Sequence, residues 1–210
     1  MFKKSFTLFA IASLILTITA CESPNHIKPK NEYREFPVVQ VDTYQKLFKR
    51  IENLALVISK AEGEYDSINR GRAGDTPAGA SGHFGKDLKD HTISEVFKLQ
   101  SSGVHAVGRY QMIPKTLRFA VSSIGIKHQE KFNKINQDKL FASIIKYKRP
   151  IIYNYIMGKH DNINLALDEI AKEWASVEYR NGHGYYDGIG GNKAKISRDE
   201  IKSVLESVRV

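Results

Sequence analysis

A glutamate stands where an apolar helical stripe meets a glycine-rich segment. Apolar residues recur at the spacing of one helix face, and the next step after Ile58 falls on Glu62, directly before Gly63. A carboxyl group in an apolar setting is desolvated, which raises its pKa, and the negative end of the helix dipole acts the same way. A glutamate that stays protonated can donate a proton to a leaving oxygen. Glu62 is therefore the candidate acid; the alternative is a solvated glutamate or one paired with a nearby arginine.

A second stretch, GVHAVGRYQMIP at 103–114, combines side chains suited to binding a sugar. Gly108 permits close approach of the backbone to a ligand. Tyr110 offers a ring face and a hydroxyl, and the amide of Gln111 both donates and accepts hydrogen bonds. We therefore predict that these three residues form one wall of a substrate cleft.

A third stretch, EWASVEYRNGHGYYDG at 173–188, places aromatic residues in a glycine-rich loop after a helix. Trp174 is interpreted as a core residue, whereas Tyr185 and Tyr186 are better placed to stack on a sugar. His183 has no second histidine or carboxylate at the spacing of metal ligands. No metal site is predicted.

The elements that position these residues are mostly helical. The pattern indicates one helix that ends at Glu62, and then a loop with a small hairpin over residues 63–91, where six glycines and hardly any apolar residues disfavour a helix. Further predicted helices cover Thr92–Gln100, Pro114–Gly125, 137–147, Pro150–Met157, Leu165–Val177 and Ser197–Val208. The predicted fold class is α+β, mainly α.

The amino-terminal segment has the features of an export signal. Lys3 and Lys4 precede an apolar run that closes with small residues before Cys21, an ending that resembles the bacterial lipobox. That resemblance implies cleavage before Cys21 and its lipidation. We predict a signal peptide over 1–20, a proline-containing tether over 21–40 and a single folded domain over 41–210. Because Glu22 is not the aspartate linked to inner-membrane retention, we expect a periplasm-facing protein at the outer membrane.

Charge and cysteine content limit the classes of partner and the covalent cross-links that this chain can have. The formal charge is +9, and loss of the two leader lysines lowers it to +7. A basic exported protein favours polyanions such as nucleic acid, anionic lipid or a carboxylate-bearing cell wall. The sequence lacks a concentrated basic face with interleaved aromatics, so no nucleic-acid partner is expected. With Cys21 as its one cysteine, the chain can form no intrachain disulfide.

The three stretches together resemble the phage lambda lysozyme family of the lysozyme-like superfamily. Its S-E-G, T-G-A-G-R-Y-Q and W-A-S-x-P-G-A-G-Y motifs are similar to Ala61–Gly63, Ser102–Gln111 and Trp174–Tyr185 in that order. The similarity spans roughly residues 50–195 of the chain. The residues of the lip at 70–90 and the longer tail after Tyr185 depart from the family pattern.

The resemblance implies a peptidoglycan lytic transglycosylase with a lysozyme-like domain and a small hairpin lip. Glu62 matches the family's catalytic glutamate, Tyr110 and Gln111 its cleft wall, and no cofactor is required. A hydrolysing muramidase would need a second carboxylate, for which Asp66, Asp75 and Asp87 are candidates and Asp75 is the first choice. A wall-binding lipoprotein without catalysis is the remaining alternative. In every case the expected partner is the glycan strand of peptidoglycan, with a lipid anchor in the membrane.

Overall fold

The computed structural model describes residues 41–210, so the predicted leader, Cys21 and the tether lie outside the described residues. The described part is mainly helical, with a few short strands. Its helices are α1 Val41–Arg50, α2 Glu52–Glu62, α3 Gly79–Phe84, α4 Ile93–Ser101, α5 Pro114–Ile124, α6 Lys134–Ser143, α7 Pro150–Ile156, α8 Ile163–Ala171 and α9 Arg198–Val208. Its strands are β1 Ile68–Asn69, β2 Ala106–Val107, β3 Glu178–Arg180 and β4 His183–Gly184, and Ile144–Lys148 forms a π-helical turn after α6.

The predicted helix before Glu62 is divided at Ile51 into α1 and α2. The hydrogen-bond ladder nevertheless continues, because Ile51 N–H donates to Leu47 O at 3.1 Å and Ala55 N–H donates to Ile51 O at 3.0 Å. Ile51 and Ile58 are fully buried, as the stripe predicts. The apolar face therefore carries the chain through the core and ends with Glu62 at its rim.

Two predicted helix starts are confirmed in detail. Glu95 N–H donates to Thr92 Oγ1 at 3.2 Å, and Thr92 N–H donates to Glu95 Oε2 at 2.6 Å, which completes a capping box before α4. Pro114 opens α5, and Gly125 ends it in a left-handed conformation with φ of 67°.

The glycine-rich segment 63–91 differs from the prediction in two ways. Strand β1 pairs with β2, which lies beyond α4, so the hairpin expected inside the segment is reduced to a single bridge between Asn69 and Asp75. The segment also contains α3, although a helix was disfavoured there. The carboxylate of Asp66 accepts hydrogen bonds from the Ser81 N–H at 2.9 Å and hydroxyl at 2.6 Å, and so caps the start of α3 from 15 residues away.

The helix predicted over Leu165–Val177 ends earlier, at Ala171. A longer helix would need the Lys172 carbonyl as an acceptor for a backbone N–H four residues on. Instead this carbonyl accepts hydrogen bonds from Arg149 Nη2 at 2.8 Å and from the Tyr186 hydroxyl at 2.8 Å. The chain therefore leaves the helix and enters turns that lead to β3.

A single hydrophobic core joins the helices. It includes Ile51 from the junction of α1 and α2, Ile58 from α2, Leu117 from α5, Leu140 from α6 and Trp174, which is 3% exposed, as predicted for a core residue. Within residues 41–210, no helix is long and apolar enough to cross a membrane.

Candidate active site

Glu62 is the last residue of α2, and its side chain meets the turn that follows α8. The Ser176 hydroxyl donates to Glu62 Oε1 at 2.5 Å, across 114 positions of sequence. Ser176 is buried, whereas Glu62 is partly exposed. Ser176 lies in the quoted EWAS stretch, but sequence reasoning assigned it no role, because its contact depends on the early end of α8.

Burial raises the pKa of Glu62 above its ordinary value. Hydrogen bonds from the hydroxyl and the backbone N–H of Ser176 favour the carboxylate and oppose that rise, as does the positive charge of Lys195. The negative charge of Asp75 adds to the rise. The net direction is upward, so the protonated carboxyl group that acid chemistry requires is favoured.

The amide of Gln111 lies beside the residue that follows Glu62. A Cβ atom on Gly63 would lie 3.5 Å from Gln111 Nε2 and only 2.7 Å from Ser67 Oγ, so only glycine fits there. Gln111 itself has φ of 44°, a left-handed conformation that is uncommon outside glycine and often found at functional sites. Its Nε2 donates to Gly108 O at 2.9 Å, so the turn holds the side chain in place.

Gly108 and Tyr110 stand behind this wall rather than on its surface. A Cβ on Gly108 would come within 2.3 Å of Gln137 Oε1, so its missing side chain admits another residue of the protein, not a ligand. Tyr110 is 2% exposed, and its hydroxyl donates to Asp138 Oδ1 at 2.7 Å. Of the three residues predicted for the wall, Gln111 is the one whose side chain is partly exposed.

Two adjacent residues of α6, Gln137 and Asp138, connect the segment that contains Tyr65 with the segment that contains Arg109 and Tyr110. Gln137 Oε1 accepts the Arg109 N–H at 2.9 Å, and its Nε2 donates to Tyr65 O at 2.9 Å. Asp138 accepts the hydroxyls of Tyr65 at 3.0 Å and of Tyr110 at 2.7 Å. Burial raises the pKa of Asp138. Sequence reasoning missed both residues, because nothing local marks α6 as a partner of either segment.

The tail after the aromatic loop returns to Ser176. Lys195 N–H and Ile196 N–H both donate to Ser176 O, at 2.7 and 2.9 Å, and Glu178 N–H donates to Ile196 O at 2.9 Å. These bonds fix the backbone of Lys195 beside Ser176, whose hydroxyl donates to Glu62. Sequence reasoning missed Lys195, because its position beside Ser176 depends on backbone bonds that form only in the folded chain.

Comparisons of the chain with protein-family models, with curated proteins and with solved structures gave no match. The chemistry of the site therefore rests on its own geometry: a partly exposed glutamate whose pKa is raised, a serine that orients its carboxyl group and an amide beside the glycine that follows it.

Tyr185 lies on the loop that begins after β4. It is 47% exposed, and its ring meets the edges of Tyr179 and Tyr186, with centroids 5.2 and 4.9 Å away. Tyr186 is held more firmly by its bond to Lys172 O. The structure therefore leaves the ring of Tyr185 accessible for stacking, as the predicted role requires.

A small cavity of about 120 Å³ opens next to Gln111 and reaches Tyr186. Its wall contains a paired ionic network, in which Glu173 accepts Lys148 Nζ at 2.5 Å and Arg149 Nε at 2.7 Å. Because these charges are paired with each other, we assign the network a structural role in the wall of this cavity.

The three candidate second carboxylates are placed differently. Asp66 is occupied by Ser81 and by the Leu88 N–H, and Asp87 pairs with Lys89. Asp75, held by Asn69 Nδ2 at 2.6 Å, is the one of the three whose charge acts on the pKa of Glu62. Within residues 41–210, no group of three or more His, Cys, Asp or Glu side chains is arranged to hold a metal.

Proposed function

We propose that this protein is a peptidoglycan lytic transglycosylase with a lysozyme-like domain. It cleaves the bond between N-acetylmuramic acid and N-acetylglucosamine and leaves 1,6-anhydromuramoyl ends. The observation that supports this proposal most is Glu62, a partly exposed residue whose carboxyl group has its pKa raised by burial and accepts a hydrogen bond from Ser176. The three sequence stretches that resemble the lambda lysozyme family support it independently.

In the proposed reaction Glu62 acts first as acid and then as base. Its proton moves to the glycosidic oxygen as the bond from that oxygen to the anomeric carbon breaks. The carboxylate then accepts the proton of the muramic acid C6 hydroxyl while the C6 oxygen bonds to the anomeric carbon. No water is consumed, and Glu62 ends protonated. The Ser176 bonds stabilise the intermediate carboxylate, and burial favours return of the proton.

A hydrolysing muramidase with Asp75 as second carboxylate is the second candidate, because Asp75 is electrostatically coupled to Glu62. In that reaction a water molecule would provide the new oxygen, and the product would carry a reducing end. A catalytically inactive wall-binding lipoprotein is the non-enzymatic alternative, in which purified murein would be bound but left intact.

One digestion experiment separates these functions. Purified murein is incubated with the wild-type protein, Glu62→Gln and Asp75→Asn, and the products are identified by mass spectrometry. We expect anhydro ends from the wild type, most of the activity in Asp75→Asn, and a loss of at least ~10²-fold in Glu62→Gln, the scale of general acid catalysis. Reducing ends only, with both variants inactive, would indicate the muramidase. No cleavage by folded wild-type protein would indicate the binding protein.

The proposed place of work is the periplasmic face of the outer membrane, reached through a lipid on Cys21. The support is the charged start, the apolar run and the small residues before Cys21. An anchored enzyme would reach glycan strands from the membrane side of the wall.

A further inference from the structure

A basic groove lies between the first helix and the end of the last. It is open, with a volume of about 340 Å³, and no carboxylate of residues 41–210 is among its lining residues. The side chains that line it are Lys46, Lys49 and Arg50 of α1 and Ser207 and Val208 of α9. None of these residues takes part in the proposed reaction.

The three cations share one face of α1 because they stand at positions i, i+3 and i+4. All three are exposed, whereas Tyr44 and Leu47, on the other face of the helix, are buried. Among the described residues, neither Lys49 nor Arg50 has an ion-pair partner. The charge of Lys49 and Arg50 is therefore directed at solvent or at an external anion.

We propose that this groove binds phosphate headgroups of an anionic membrane surface. An arginine can hold two phosphate oxygens at once and the lysines add point charges, so the cluster suits a phosphodiester. The groove has a volume large enough for such a group. Juxtamembrane basic clusters are attracted to anionic lipid within a Debye length of the surface.

The position of the groove in the chain favours lipid over other polyanions. Helix α1 is the first described element and begins at Val41, so the groove follows closely on the predicted lipid-bearing Cys21. The twenty residue steps from Cys21 to Val41 can span at most about 70 Å, at ~3.3–3.6 Å per residue. An anchor at Cys21 would therefore confine the groove to within that distance of the bilayer, so that it meets the surface repeatedly. This step rests on the proposed anchoring, but it is independent of the proposed catalysis.

The test measures sedimentation of the exported chain carrying Cys21→Ser, so that no attached lipid contributes. Vesicles contain phosphatidylglycerol and phosphatidylcholine in equal parts, or phosphatidylcholine alone, at low salt. The test variant adds Lys46→Gln, Lys49→Gln and Arg50→Gln. A control with the same loss of charge adds Lys98→Gln, Lys115→Gln and Lys127→Gln, three exposed lysines outside the groove.

We expect binding to the anionic vesicles, a ~10²-fold weaker partition for the groove variant and a much smaller loss for the control, since each cation near an anionic surface contributes about fivefold. Arg50→Gln alone, which guards against misfolding of the triple variant, should lose about fivefold. Equal losses in the two triple variants, equal binding to both vesicle types, or groove-dependent binding to murein sacculi but not to vesicles would overturn the proposal. Murein cleavage by the groove variant should stay at the parent level, so the outcome is separate from that of the catalytic proposal.

Discussion

Opposing charges flank the one carboxyl group on which the proposed chemistry depends. Lys195 favours the charged form of Glu62 and Asp75 disfavours it. The effect of burial on the pKa of Glu62 is larger than the effect of either charge. The active form of a single acid is lost as the pH rises through its pKa, so the alkaline limb of the activity profile reports the pKa of Glu62. At the scale of residues, burial sets the direction of the shift, and these two charges adjust the position of that limb in opposite directions.

The first residue-scale prediction is that the two charges move the alkaline limb in opposite directions. Lys195→Gln removes a charge that lowers the pKa of Glu62, so the limb should move to higher pH. Asp75→Asn removes a charge that raises this pKa, so the limb should move to lower pH. The measurement is murein cleavage rate against pH, with the exposed Lys193→Gln as a charge-matched control for Lys195. Shifts of the same sign, or a control shift as large as that of Lys195→Gln, would contradict it.

The second prediction concerns stability. Because the pKa of Glu62 is raised in the folded state, its contribution to stability is complete below the ordinary glutamate pKa of about 4.3 and is lost as the pH rises through the raised value. Glu62→Gln removes this dependence and keeps an oxygen to accept the Ser176 hydroxyl. We expect the melting temperature of the variant to rise relative to wild type from acid to neutral pH. A difference that shrinks over that range would contradict the raised pKa.

At the scale of elements, local patterns predicted what local contacts determine. The capping box at Thr92, Pro114 at the start of α5 and the stripe to Ile58 involve residues within a few positions of each other, and all are confirmed. The predicted helix bounds were wrong where a hydrogen-bond partner is distant in sequence. Asp66 caps α3 from 15 residues away, and Arg149 takes the Lys172 carbonyl at the end of α8 from 23 residues away.

The same distinction divides the candidate site. Glu62 could be identified as the candidate acid from sequence, because it continues the apolar stripe of its own helix. The roles of Ser176, Lys195 and Gln137 could not, because each depends on bonds between segments that meet only in the folded chain. The prediction that Tyr110 lines the cleft is wrong, because its ring packs inward against Phe141 of α6.

The element-scale prediction tests how α6 holds the cleft. Gln137→Ala leaves the part-buried Arg109 N–H and Tyr65 O and the buried Phe132 O without their partner. At about 1–3 kcal/mol for one buried unpaired group, the free energy of unfolding should fall by at least ~1 kcal/mol. Urea denaturation measures this as a lower midpoint with an unchanged slope. Lys139→Ala, on the same helix, should change the free energy of unfolding by less than ~0.5 kcal/mol. A comparable loss in that variant would mean that stability depends on α6 as a whole and not on the Gln137 hydrogen bonds.

At the scale of the whole molecule, one domain combines the candidate active site at Glu62 with a basic groove. The core of residues 41–210 supports both without a disulfide, because Cys21 is the only cysteine and is predicted to carry lipid. Membrane attachment would then have two components of different strength. The lipid would provide salt-resistant anchoring, and the groove would provide an electrostatic contact that salt weakens.

The whole-molecule prediction separates these two components in cells. Wild-type protein should stay with the outer-membrane fraction through a high-salt wash and be released only by detergent. Cys21→Ser lacks the acyl chains, so a high-salt wash should release it, because the remaining attraction is electrostatic and is screened. The measurement is immunoblotting of fractions after low-salt, high-salt and detergent extraction, with Ser23→Ala as a control that leaves Cys21 intact. Salt-resistant membrane association of Cys21→Ser would show that attachment does not depend on a lipid at this cysteine, and the proposed anchor would be rejected while the catalytic proposal stood.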